Sequence, residues 1–159
     1  MGNYAFIDST NLHMSIQSQG WTLDYVRFRK YLSDKYKVSK AFLFLGYLPT
    51  HADLYKSLQE AGFVLVFKPT LEIKGKIKGN ADAELVLQAM IEYPNYEQAV
   101  IVTGNGNPHR LVKYLASKKK LHKLIVPNKR RYSSLLRKFS PYISGLNGLM
   151  DKLGTEKEA

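Results

Sequence analysis

Three short stretches of the chain carry the residues best suited to do chemistry. Asp8 and Asn11 lie in Phe6-Ile7-Asp8-Ser9-Thr10-Asn11, Asp82 and Glu84 in Asn80-Ala81-Asp82-Ala83-Glu84, and Asn105 and Asn107 in Thr103-Gly104-Asn105-Gly106-Asn107. Carboxylate and amide oxygens are the ligands that hard cations such as Mg2+ take, and one or two protein carboxylates plus substrate phosphates suffice to hold one. A cation so held polarises a phosphodiester and generates hydroxide near neutral pH. Each residue also has a plainer role. Asp8 and Asn11 can cap turns, and Asn105 and Asn107 are turn formers that tolerate left-handed backbone. Asp82 and Glu84 begin a helix, where a carboxylate is favoured by about half a kcal/mol in any case. The chemical reading therefore requires the three stretches to meet.

The surrounding pattern explains how they meet. Tyr4–Ile7, Ala41–Leu45, Phe63–Phe67, Ala99–Val102 and Leu124–Val126 are short apolar runs, the signature of strands buried on both faces. Between them, helical spacing runs through Leu23–Lys35, His51–Ala61, Ala81–Glu92 and the segment opened by Pro108, with a further short helix over Ser133–Phe139. Thr70–Gly79, with Lys74, Lys76 and Lys78, reads as a basic loop, and Ser9–Trp21 as a polar loop. Alternating strands and helices argue for a parallel sheet covered on both faces. The expected architecture is a three-layer α/β/α fold with a mainly parallel five-stranded sheet. The domain covers residues 1–145, and 146–159 form a C-terminal tail. If the first and fourth of these strands are neighbours where the strand order reverses, Asp8 and the Asn105–Asn107 loop share one crevice at the carboxyl edge.

Charge suggests what such a crevice receives. The 159 residues carry a formal net charge of +11. From Gln98 to Met150 there is no Asp or Glu, while Arg110, Lys113, Lys118, Lys119, Lys120, Lys123, Lys129, Arg130, Arg131, Arg137 and Lys138 all fall there. A surface of one sign attracts polyanions and releases counterions when it binds them, which favours nucleic acid over a merely solubilising face. Lys76, Lys78, Arg110 and Lys113 are the candidates to hold its backbone. With no cysteine, disulfides and thiolate metal sites are excluded. No run is apolar and long enough to span a bilayer and no signal peptide is evident, so a cytoplasmic location is expected. His13, His51, His109 and His122 show no paired metal-ligand spacing. His109 alone lies near the candidate loop, where a structural or phosphate-contacting role is favoured over a catalytic one. Gly104-Asn105-Gly106-Asn107-Pro108-His109 begins like a dinucleotide fingerprint but lacks its third glycine. Trp21, Tyr47 and Tyr55 are aromatic candidates for base stacking, with core or surface packing the default.

Phe6-Ile7-Asp8-Ser9-Thr10-Asn11-Leu12, Lys78-Gly79-Asn80-Ala81-Asp82-Ala83-Glu84-Leu85 and Val102-Thr103-Gly104-Asn105-Gly106-Asn107 together resemble the NYN domain family, within the PIN-like nuclease superfamily. The resemblance runs from about Tyr4 to Tyr142 with the motifs in family order. It implies a Rossmann-like three-layer α/β/α fold and metal-dependent ribonuclease activity with Mg2+ or Mn2+. By position, Asp8 is the first metal-site acid, Asn11 its supporting amide and Asp82 the second acid. Asn105 and Asn107 stand where the family usually has two aspartates in a Ser-Gly-Asp-Gly-Asp-Phe-like run. An amide donates an oxygen but brings no charge and cannot act as a base, so this departure should weaken cation binding and cleavage. The expected partner is RNA, single-stranded or structured, with a homodimer left open. The alternative reading is a non-catalytic RNA-binding or partner-recruiting module on the same fold.

Overall fold

The computed structural model describes residues 2–68, 71–73, 76–78 and 82–155, with 71–73 and 76–78 described by backbone alone. In chain order the elements are β1 (Asn3–Asp8), α1 (Ser9–Ser18), α2 (Tyr25–Tyr36), β2 (Val38–Gly46), α3 (Ala52–Glu60), β3 (Phe63–Lys68), β4 (Leu71–Ile73), β5 (Lys76–Lys78), α4 (Asp82–Ile91), β6 (Ala99–Val102), α5 (His109–Ser117), β7 (Leu121–Val126), β8 (Ile143–Gly145) and α6 (Met150–Leu153). Single 3-10 turns at Pro49–His51 and Tyr93–Asn95 and a longer 3-10 segment at Ser134–Tyr142 complete the set.

Six strands form one sheet in the order β3-β2-β1-β6-β7-β8, and every adjacent pair is parallel. The apolar runs that predicted five strands all occur. The sixth, β8, has a single buried apolar residue, Ile143, followed by half-buried Ser144 and Gly145, so hydrophobic pattern alone does not reveal it. Its register, Leu124↔Ile143 to Val126↔Gly145, comes from the edge that β7 offers. Two further corrections concern the predicted loops. Residues Ser9–Ser18 form helix α1, with Asp8 as its N-cap and Leu12 and Ile16 buried one turn apart. Within the predicted basic loop, β4 and β5 pair as an antiparallel hairpin in the register Leu71↔Lys78, Glu72↔Ile77 and Ile73↔Lys76.

Burial on both faces follows from the sequence of each strand. In parallel strands, alternate residues face opposite layers. Ala5, Ile7, Leu43, Val100 and Val102 enter one core with Leu12, Ile16, Phe28, Leu32 and Leu58. Phe6, Phe42, Phe44, Ile101 and Val126 enter the other with Leu85, Ala89, Leu111 and Leu115. Rings of Phe6, Phe42 and Phe44 stack across β1 and β2, with centroids 5.3 Å and 6.5 Å from Phe6. The chain after β8 packs back on the first core: Leu146 and Leu153 are buried, Leu23 bridges Gly154, and Asp24 N–H donates to the Leu153 carbonyl at 2.7 Å. Among the described residues, no helix is long and apolar enough to cross a membrane.

Sheet order fixes where a ligand can sit. The chain lays β2 and β3 to one side of β1, then crosses to place β6 on the other. At such a reversal the flanking loops diverge and leave a crevice beyond the carboxyl ends of the two central strands. Here those strands are β1 and β6, in register from Tyr4↔Ala99 to Ile7↔Val102, as the sequence pattern anticipated.

Candidate functional site

The crevice measures about 880 Å3 and lies where that reversal puts it. Asp8, Asn11, Asp82, Asn105 and Asn107 all line it. Helix α1 contributes Thr10, Met14, Ser15 and Ser18, and the segment after β7 contributes Arg131, Tyr132 and Ser133. The α1 residues escape a reading that takes Ser9–Trp21 as a loop. The signal that reveals them is an Asp N-cap followed by apolar residues at positions 12 and 16.

Asp8 is both a cap and a site residue. One carboxylate oxygen, Oδ1, accepts from Asn11 N–H at 3.1 Å, which starts α1. The other, Oδ2, accepts from the Thr103 hydroxyl at 3.3 Å and from the Asn105 side-chain amide at 3.0 Å. Thr103 is fully buried and also accepts from Asn105 N–H at 3.1 Å, so a single hydroxyl ties the loop to the acid. Burial lifts the Asp8 carboxyl above its ordinary range and the charge of Asp82 adds to the rise, with the three donated hydrogen bonds working against both.

The orientation of the amides follows from one backbone donor. Gly104 N–H donates to Asn11 Oδ1 at 2.8 Å, which turns Asn11 Nδ2 toward Asn105. Asn105 accepts it on Oδ1 at 3.2 Å and so presents its own Nδ2 to Asp8. Across the crevice, Asn107 Nδ2 donates to Asp82 Oδ2 at 2.8 Å. Each acid therefore faces an amide donor from the 105–107 loop.

Close packing holds that loop. Ser133 N–H donates to the Gly104 carbonyl at 3.0 Å, and a Cβ at position 106 would collide with the Ser133 hydroxyl. Any larger residue there would have to displace the Ser133 and Leu135 side chains. His109 Nδ1 lies 2.8 Å from the Gly106 carbonyl, so Nδ1 carries the proton and donates. Its observed bond is structural, and Nε2 is left for a ligand. Arg110 and Lys113 do not line the crevice. They line a separate depression of about 510 Å3 along α5, with His109, Tyr114, Ser117 and Lys138. Glu84, in the first turn of α4, is not among the residues lining the crevice. Lys76 and Lys78 stand on β5, and their side chains lie outside the described residues. Sequence reasoning named neither Thr103 nor Arg131 as a site residue. Thr103 looked like the end of a buried strand, and Arg131 was one of many cations.

A parallel three-layer sandwich with two acids at its topological switch is consistent with a PIN-like nuclease fold. The match to the NYN domain model spans residues 4–146, and the chain belongs to that family. A crystal structure of a protein of unknown function from Vibrio parahaemolyticus is similar to it with a TM-score of 0.77 and 21% identity, covering 96% of each chain. No curated protein matches the chain.

The family's chemistry calls for a divalent cation, and the donor set tests whether these residues suit one. Among the described residues there is no group of three or more His, Asp or Glu side chains. Both oxygens of Asp8 and Oδ2 of Asp82 accept hydrogen bonds, and Asn105 and Asn107 aim N–H groups at the acids. A cation needs lone pairs converging on it. These side chains, as arranged, present donors where its ligands would have to be and do not fit it.

Proposed function

We propose that this protein binds RNA through the carboxyl-edge crevice and the basic, acid-free third of the chain, and that hydrolysis is suppressed by Asn105 and Asn107. The observation that carries this reading is the pair of amide donors at the two acids, 3.0 Å from Asp8 and 2.8 Å from Asp82. In water-poor surroundings an N–H on a carboxylate answers part of its charge, as a cation would, but it activates no water. The fold then keeps its polar crevice without the electrophile that cleavage needs.

RNA contact falls to the cations of the crevice and of α5. Arg131 lines the crevice, and Arg110, Lys113 and Lys138 line the separate depression. These residues belong to the 98–150 stretch that contains no acid. An arginine or lysine at a phosphate adds affinity without reading sequence, and each contact steepens the salt dependence. Fluorescence anisotropy of a labelled single-stranded RNA, titrated in EDTA and again in Mn2+, tests the reading. Salt-sensitive binding of equal strength in both is expected. Binding that appears only with Mn2+ would show that a cation, not the protein's own donors, completes the site.

A ribonuclease of reduced rate is the second reading, and one observation favours it. Asp82 is close enough for its charge to help raise the pKa of Asp8, so the two acids of the family's chemistry still share one crevice.

A further inference from the structure

We propose that Tyr47 and Phe67 form a stacking subsite for an unpaired nucleobase, placed beside the crevice on the same edge of the sheet. This inference rests on the RNA-binding reading above and names the form of RNA: a single strand. Strands β1, β2 and β3 run parallel and end at one edge, with Asp8 level with Phe44 and Phe44 level with Val66. Phe67 is therefore one residue past the level of Asp8 and two strands away, about 10 Å by ordinary strand spacing. Tyr47 follows Gly46, the last residue of β2. A span of about 10 Å corresponds to roughly three stacked nucleotides at about 3.4 Å each, and fewer in an extended strand.

The rings are held as a platform. Tyr55, buried on α3, donates its hydroxyl to the Gly46 carbonyl at 3.2 Å and accepts from Leu48 N–H at 2.8 Å. Tyr47 lies nearly parallel to Tyr55 with centroids 5.9 Å apart, and Phe67 packs edge-on to both, at 5.3 Å from Tyr47 and 4.8 Å from Tyr55. Despite this support, Tyr47 is 49% exposed and Phe67 38%. Two fixed aromatic rings thus meet solvent at the edge that carries the crevice, on a chain of net charge +11. Exposed rings on a strongly basic protein can hold single strands without sequence preference, since every base has a π-face and the cations draw in the backbone. A duplex, with its bases already stacked, cannot use them.

The test compares a fluorescein-labelled single-stranded RNA with the same strand carrying abasic sites. Tyr47→Leu and Phe67→Leu should each weaken binding of the base-bearing strand roughly tenfold. Neither should affect the abasic strand or the salt slope, and Tyr47→Trp should retain full affinity. Thermal melts by circular dichroism establish that the variants fold. A 2-aminopurine strand on the unaltered protein gives a reading free of mutation, with quenching of its fluorescence expected on binding. Equal losses on both strands, unchanged affinity in the leucine variants, or no quenching would overturn the subsite while leaving RNA binding standing. If the unaltered protein binds no RNA, both readings fail. Self-association abolished by Tyr47→Leu, with RNA affinity unmoved, would assign the rings to a protein contact instead.

Discussion

Opposing demands meet at Asp8. Its carboxyl is buried near a second acid, which favours the neutral form, yet it accepts three hydrogen bonds, which favour the charged one. The net effect is a raised pKa, and the sign of the consequence follows. A carboxyl whose pKa is higher folded than unfolded contributes stability at low pH and loses it as the pH rises through the folded value. Asp8→Asn cannot ionise, so its melting temperature relative to the unaltered protein should climb between pH 4 and pH 7. A difference that stays flat across that range would contradict the burial argument. The same geometry predicts the opposite outcome at the loop. In the doubly substituted Asn105→Asp/Asn107→Asp protein, carboxylates replace the amides now 3.0 Å and 2.8 Å from Asp8 and Asp82. Without metal this should cost about 1–3 kcal/mol, seen as a lower midpoint in urea. Mn2+ should restore stability to that variant by mass action and leave the unaltered protein nearly unmoved. Asp8, Asp82 and both asparagines were legible in the sequence because their types and positions are chemical. The direction of each amide was not, because that of Asn105 depends on Gly104 N–H, a backbone donor that residue identity does not disclose, and that of Asn107 on its contact with Asp82.

Elements explain why the loop stays where it is. Gly106 packs against the Ser133 side chain, and Gly104 pairs with Ser133 N–H, so the loop after β6 leans on the segment after β7. Gly106→Ala should destabilise the fold by about 1–3 kcal/mol. It should also weaken RNA binding, and a melt alongside an RNA titration checks both effects. Lys120 shows that a basic residue need not belong to the binding face. Its ammonium donates to the Tyr93 and Tyr96 carbonyls at 2.8 Å and 2.6 Å and sits 4.5 Å and 4.4 Å from their ring centres. Lys120→Ala should therefore lower stability by about 1–3 kcal/mol, since it leaves two carbonyls without their donor, and should not change the salt slope of RNA binding. Arg131→Ala should do the reverse, flattening the slope by about 0.7 for a single strand while hardly shifting the melt. Sequence composition placed both cations in one acid-free stretch and could not separate them. Helix α1 and strand β8 were hidden for a related reason. Each has few apolar residues of its own and owes its existence to partners distant in sequence, α1 to the core beneath Leu12 and Ile16, β8 to the edge of β7.

At the scale of the molecule, the long apolar runs specified the parallel sheet, whereas the adjacency of β1 and β6 that gathers the site was a condition the pattern allowed and the strand order meets. Buried strands read clearly because nothing polar survives between two helical layers. The account that results is of a nuclease-like frame in which charge is unevenly shared. One third of the chain carries cations without acidic relief, and the crevice holds two acids quieted by amides. Such a molecule should bind RNA by its rim and not cut it. The most direct test is cleavage of a labelled single-stranded RNA in Mn2+ by three proteins: the chain itself, Asn105→Asp/Asn107→Asp, and that variant with Asp8→Ala added. The account predicts no cleavage by the first, cleavage by the second and none by the third. Cleavage by the unaltered chain at a rate matching the Asn105→Asp/Asn107→Asp variant would contradict it, because the amides would then be compatible with a working centre.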